Sequence, residues 1–244
     1  MLKPIGRYIL LMLRVFKKPD KVKIFRKQLF TEFQSLGTDS LGIVAIISVF
    51  MGAVVAIQTA YNIDSPLIPL TMVGFTARQS MVLEFSPTIV SLILAGKVGS
   101  RIASEIGTMR VTEQIDALKI MGINPPNYLI LPKITAAILY NPILIVLSII
   151  MGLFGGWLAC IVTQLVTSQD YISGLRYWFE AYTIFYALIK TVVFAFIITS
   201  ISGYFGYYTT GGALEVGRAS TKAVVFSSIF IILFNLILTQ LLLA

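Results

Sequence analysis

Charge-free apolar runs alternate with short charged stretches along the 244 residues, and several runs are long enough to cross a bilayer. Leu41 to Ile63 carries no charge and predicts a first span over 38–63. The next region is punctuated: Pro66 to Ala77 is apolar but too short to span, Arg78 and Glu84 interrupt it, and Phe85 to Gly96 is apolar again. With Pro66, Pro69 and Pro87, this stretch predicts a broken second span over 66–100, either one kinked helix or a re-entrant piece followed by a span. Ile134 to Gln169 is charge-free for 36 residues, which exceeds one span and predicts a third over 131–160 plus an external loop. Ala181 to Tyr208 holds only Lys190 and predicts a fourth over 181–205; the 22 charge-free residues after Lys222 predict a fifth over 219–243. No internal repeat is evident, so the pattern predicts one domain over 1–244: an all-α integral membrane protein of about five transmembrane helices.

Composition sharpens this. The chain is 57% hydrophobic and 12% charged, about half the charged share of a soluble domain, and its mean hydropathy is +0.88. A soluble fold buries only part of so much apolar side chain. With no histidine and a single cysteine, Cys160, the sequence offers no disulfide and no His/Cys metal site. No cofactor is expected.

The net charge of +8 is unevenly spread. Nine of the 19 basic residues are Lys3, Arg7, Arg14, Lys17, Lys18, Lys21, Lys23, Arg26 and Lys27, interleaved with Ile9, Leu10, Leu13, Phe16 and Ile24. This mixture predicts a basic interfacial helix over 1–37 on an anionic leaflet, and argues against nucleic acid. The same stretch is too charged for the apolar core of a signal peptide, which places the N-terminus in the cytosol, or in the stroma of a plastid. With that orientation sixteen basic residues fall on inside segments (1–40, 97–133 and 206–222), and two, Arg78 and Arg176, fall outside.

The central polar segment, residues 95–133, reads AGKVGSRIASEIGTMRVTEQIDALKIMGINPPNYLILPK. Ile102, Ile106 and Met109 share one helical side, and Val111, Ile115 and Leu118 lie on nearly the opposite one. Two helical pieces broken near Gly107 are therefore expected, with Thr108 as N-cap and Gly122 ending the second. Pro125-Pro126 prevents the helix from resuming. Arg110, Glu113, Asp116 and Lys119 line the polar positions of the second piece, as Arg110–Glu113 and Asp116–Lys119 pairs three apart. From the residues alone it is either a solvated loop helix or a docking helix for a partner.

This segment resembles the signature of the MlaE family of ABC permeases, close to AGR-x-GS-x-x-x-AE-x-G-x-MR-x-TEQ followed by a Met-rich stretch and an Asp- or Asn-Pro. The matching residues are Ala95, Gly96, Gly99, Ser100, Glu105, Gly107, Met109, Arg110, Thr112, Glu113, Gln114 and Asn124-Pro125, with Lys97 in place of Arg. SVFMGAVVAIQ at 48–58, IKTVVFAFIIT at 189–199 and GGALEVGRASTKAVVFSS at 211–228 resemble its first, fourth and fifth helices. The family's Arg-Glu-Leu-Gly-Pro segment reads Leu83-Glu84-Phe85-Ser86-Pro87 here, with Leu83 replacing the Arg and Arg78 the nearest substitute.

The resemblance implies a homodimeric permease subunit of a phospholipid or glycolipid transporter. It implies a cytosolic ABC ATPase docked on a coupling loop over 105–122 and an MCE-domain protein on the far side. The implied membranes are a bacterial or cyanobacterial inner membrane or a plastid inner envelope. ATPase-coupling candidates are Glu105, Arg110, Glu113, Gln114, Asp116 and Lys119.

Polar groups within spans are costly and therefore candidates for the lipid pathway: Gln58, Tyr61, Arg78, Leu83, Glu84 and Lys190. Each has a plainer reading. Glu84 pairs with Arg78, Lys190 snorkels outward or meets a carboxylate, and Tyr61 belongs to an interfacial belt. The chain has no GxxxxGK[ST] phosphate loop, because Gly96-Lys97 is followed by Val98 and position 91 is Ser, so energy for active transport must come from another subunit. A membrane enzyme would need a nucleophile with a base, which is not evident. A passive scaffold, or a permease for sterols or other hydrophobic cargo, remains as a rival.

Overall fold

The computed structural model describes residues 2–17, 22–63 and 68–243, and the side chains of 4–17, 22–63 and 68–242. The expectations resting on Lys3, Lys18, Lys21 and Pro66 lie outside these. Among the described residues there is no strand. The helices are α1 (Leu2–Val15), α2 (Val22–Glu32), α3 (Asp39–Asn62), α4 (Thr71–Ser80), α5 (Val90–Leu94), α6 (Ser100–Val111), α7 (Gln114–Ile120), α8 (Pro125–Thr163), α9 (Ser168–Arg176), α10 (Ala181–Tyr207) and α11 (Ala213–Leu243). Wider π-helical turns over Phe33–Thr38, Met81–Ile89 and Ala95–Gly99 join α2 to α3, α4 to α5 and α5 to α6.

Among the described residues, five continuous helical stretches are long and apolar enough to cross a membrane: Val22–Asn62, Thr71–Val111, Pro125–Thr163, Ala181–Tyr207 and Ala213–Leu242. Several exceed the roughly 20 residues a bilayer needs, because their polar ends stay helical. Pro125 opens α8, where a missing N–H leaves nothing unsatisfied. Pro87 sits inside a π-helical turn instead of ending the helix.

Packing divides the chain into two compact units. One comprises Met1–Asp39, Leu92–Asn141 and Val192–Ala244. Its core holds Ile102, Ala103, Ile106, Ile115, Ile130, Ile134, Phe194, Ile198 and Ala223. α6 packs along α11. Gly206 lets α10 close on α6, where an added Cβ would stand 2.8 Å from the Ala103 carbonyl oxygen. α1 buries Leu11, Met12 and Val15 and exposes Ile5, Ile9, Leu10 and Leu13. Tyr8 donates to Ser200 Oγ (2.9 Å), and Phe16 stacks on Phe196. The end of α1 is capped by side-chain amides from the α8 entry: Asn124 donates to the Arg14 carbonyl, and Asn127 to those of Val15 and Lys17. Lone backbone acceptors at a helix end are thereby satisfied.

The other unit is Ser40–Ser91 and Pro142–Thr191. α3 and α8 touch backbone to backbone at Gly52 and Gly152, where an added Cβ on Gly52 would lie 1.8 Å from the Gly152 carbonyl oxygen. Beside this contact Ser48, Ser148 and Ser86 form a buried hydroxyl chain with steps of 2.8 and 3.0 Å. Val55, Ala56, Val73, Ala77, Cys160, Val166 and Tyr171 make its apolar core. α9 begins at Thr167, whose hydroxyl accepts from the Asp170 N–H, and packs on α4.

Candidate functional site

Residues 100–123 fold as a helical elbow, and its break differs in place from the sequence expectation. α6 runs straight through Gly107 and Thr108 to Val111. Gly107 does not bend the helix; its bare Cα admits Val216 and Thr209, which an added Cβ would meet at 3.2 and 3.3 Å. The chain turns at Thr112-Glu113, where Glu113 takes left-handed backbone angles (φ 60°) and its carbonyl receives the N–H groups of Asp116 and Ala117. α7 ends at Gly122 (φ 74°) as expected. Ile123 N–H bonds to the Leu118 carbonyl and Gly122 N–H to that of Lys119, the paired closure that glycine favours at a helix end.

Asp116 is the hub of the elbow. Its Oδ1 accepts from Lys119 Nζ at 2.7 Å and from Arg110 at 2.8 Å. Arg110 thus pairs with Asp116 across the turn and not with Glu113. These two partners, Lys119 first, hold the Asp116 carboxyl below its ordinary range against a small opposing effect of burial. A carboxylate whose folded pKa is lowered stabilises above its unfolded pKa, near 3.8, and loses that contribution as pH falls through the folded value. The carboxylate is therefore ionised at any physiological pH. Ile115 is buried beneath it, while Glu113, Gln114, Ile120 (88% exposed) and Met121 stand outward.

Glu105 lies elsewhere on α6. Lys133 Nζ, on a side chain 2% exposed, contacts Glu32 Oε1 at 2.5 Å and both Glu105 oxygens at 2.8 and 2.9 Å. This buried ammonium ties α2, α6 and α8 together, which balances its desolvation by two carboxylates. The sequence reading missed it by placing Lys133 at the edge of a loop. Its signal was the one that Lys190 carries, a single lysine within an apolar run.

In the other unit Lys190 is fully buried. Its Nζ lies 2.7 Å from Glu84 Oε1, 3.2 Å from the Leu83 carbonyl oxygen and 4.4 Å from the Tyr186 ring centre. Pro87 has no N–H for the Leu83 carbonyl that a regular α-turn would use, and the ammonium reaches that carbonyl. Thr88 donates to the second Glu84 oxygen at 3.1 Å. Glu84 is 43% exposed, so the pair combines a sealed cation with an open anion.

Arg78 does not face Glu84. It is buried, donates to the carbonyls of Leu175 (2.6 Å) and Trp178 (3.0 Å), and lies over the rings of Phe75 and Phe179. It fastens the end of α9 to α4, and the Leu83 side chain contributes no charge. Gln58 and Tyr61 are exposed on the last turns of α3. No group of three His, Cys, Asp or Glu able to hold a metal occurs among the described residues.

Comparison with known proteins identifies the chain's relatives. The family model for the MlaE permease matches residues 29–241. A probable ABC transporter permease of Rickettsia prowazekii is 39% identical over 227 residues, covering 93% of this chain and 86% of the relative. The Arabidopsis thaliana chloroplast protein TRIGALACTOSYLDIACYLGLYCEROL 1 is 32% identical over 220 residues, 90% of this chain and 63% of that one. The Haemophilus influenzae intermembrane phospholipid transport system permease protein MlaE is 30% identical over 214 residues, 86% of this chain and 81% of the relative.

Proposed function

This chain belongs to the MlaE permease family, and we propose that it is the membrane subunit of an ABC-type transporter that moves phospholipid or glycolipid between membranes. A separate ATPase subunit supplies the energy. The carrying observation is the 95–124 signature folded as a clamped elbow with Ile120 and Met121 exposed at its tip, on a chain without a phosphate loop. A short, internally braced helix with an uncovered apolar tip suits a groove on a partner. The phospholipid named for the Haemophilus relative gives the cargo class.

In this reading two copies enclose a lipid-sized cavity at their interface. α11 suits that role, since only 11% of its most apolar window is covered within one chain. Two ATPases grip the elbows around Arg110 to Met121, and their closure moves each elbow as a rigid two-state element. Glu84, held by the buried Lys190, is the lipid-facing carboxylate, with Gln58 and Tyr61 as further pathway residues; Arg78 holds the fold. An MCE-domain protein receives or delivers lipid on the far side, and the chain itself catalyses nothing. The N-terminus lies in the cytosol or stroma, and the membrane is a bacterial or cyanobacterial inner membrane or a plastid inner envelope.

The test is purification from the native membrane in mild detergent, with mass spectrometry of proteins and lipids. An ABC ATPase and an MCE-domain protein, together with glycerolipid, are the expected companions. Glu113→Lys with Asp116→Lys abolishes ATPase recovery while leaving a monodisperse permease. Undiminished recovery with that variant removes the elbow from the docking surface. A sterol in place of glycerolipid changes the cargo, and a permease recovered alone favours a scaffold.

A further inference from the structure

A groove of about 500 Å³ runs between one face of α2 and the first turn of α8, lined by Lys23, Ile24, Lys27, Gln28, Thr31, Glu32 and Tyr128. We propose that it binds the phosphate headgroup of an anionic membrane lipid, gripped by Lys23 and Lys27. This inference rests only on the chain crossing a bilayer, not on what it transports.

Spacing assembles the site. Lys23, Lys27 and Thr31 recur every fourth residue, so two ammonium groups and a hydroxyl stack along one side of α2. Like charges at that spacing disfavour a helix, a cost that a bound anion reverses. The only acid in the lining, Glu32, is already engaged by the buried Lys133 at 2.5 Å. Among the described residues no carboxylate pairs with Lys23 or Lys27. Tyr128, half-buried at the start of the long helix α8, forms the opposite wall, where the helix dipole adds positive potential.

Placement selects a lipid over a dissolved anion. The helical stretch Val22–Asn62 has 41 residues, about twice what the hydrocarbon layer needs. Its first turns lie beyond the hydrocarbon layer on the N-terminal side, where their mix of lysines and exposed apolar side chains suits a helix at the lipid surface. Val22 (55%), Ile24 (41%) and Phe30 (76%) are exposed around the lysines and offer apolar contact to acyl chains. A free phosphate gains nothing from these side chains; a lipid gains from both.

The test uses the purified full chain in detergent, titrated with phosphatidylglycerol, phosphatidylcholine or inorganic phosphate and read by native mass spectrometry. Phosphatidylglycerol is expected to bind one copy per groove, over phosphatidylcholine, and to survive excess inorganic phosphate. Lys23→Gln with Lys27→Gln weakens it about tenfold or more, given roughly 1 kcal/mol per basic residue near an anionic surface. Lys23→Arg with Lys27→Arg retains it, which separates loss of charge from misfolding. Arg176→Gln with Lys222→Gln removes the same charge from the exposed faces of α9 and α11 and leaves binding within about twofold. Equal losses in the two Gln pairs, no loss in either, or displacement by inorganic phosphate each overturn the proposal.

Discussion

Lys190 Nζ and Glu84 Oε1 stand 2.7 Å apart, yet the lysine is fully buried and the glutamate is 43% exposed. The asymmetry sets the outcome of removing each member. Glu84→Leu leaves a sealed ammonium with only a carbonyl and a ring face, a loss of about 3 kcal/mol by the behaviour of broken buried pairs. Lys190→Met leaves a carboxylate that water or lipid can reach, and costs less. The double variant recovers stability toward the native value in a detergent melting assay. Transport distinguishes the roles: a stable double variant that still fails to move lipid assigns the pair to the pathway, and restored transport makes it structural.

Lys133 answers to a different balance, since its two carboxylates come from two helices. Lys133→Met leaves Glu32, only 17% exposed, without a partner, and should lower stability by about 3 kcal/mol. Lys133→Arg keeps charge and reach and should lose less than half of that. Adding Glu32→Gln and Glu105→Gln to Lys133→Met removes every charge in the cluster and should restore most of the melting temperature. A triple variant no more stable than Lys133→Met alone rules out charge balance as the cause.

Sequence and structure part company where partners are distant along the chain. The spans were legible because charge-free runs longer than a bilayer thickness have few alternatives in water or lipid. The end of α7 was legible too, since Gly122 supplies a φ of 74° that other residues resist. The break at Glu113 was not, because periodicity marked Gly107 as the weak point, while Val216 and Thr209 hold that glycine inside a continuous helix. Lys190 stood out as an isolated charge while Lys133 passed as the edge of a loop; the partners of Lys133 lie 101 (Glu32) and 28 (Glu105) positions away, and that of Lys190 lies 106 away. Which carboxylate meets which ammonium depends on helix packing, which no local pattern reports.

Glu113 combines an outward carboxylate with left-handed backbone angles that cost a non-glycine residue roughly 1 kcal/mol. Glu113→Gly relaxes that conformation and should keep the elbow intact, with a melting temperature equal to or above the native one. Glu113→Gln keeps the strain and removes only the charge. If ATPase recovery falls with both variants, the carboxylate makes the contact. Retention by both assigns Glu113 to shaping the turn, with Asp116 and the exposed Ile120–Met121 tip left as the docking elements.

The contact of α3 with α8 sets a hydroxyl chain against a backbone approach, and magnitudes decide between them. Ser148 has two hydroxyl neighbours, Ser48 and Ser86. Side-chain hydrogen bonds inside membranes average about 0.6 kcal/mol, so Ser148→Ala should cost about 1 kcal/mol. Gly52→Ala places a methyl group 1.8 Å from the Gly152 carbonyl oxygen, a backbone atom that cannot rotate away. The helices must then separate, breaking the serine chain as well, and the loss should reach about 3 kcal/mol or prevent accumulation of the protein. Melting curves of the two variants in one detergent make the comparison. A Gly52→Ala protein as stable as Ser148→Ala would show that α3 and α8 have room to part, and that the hydroxyl chain, not close backbone packing, holds them.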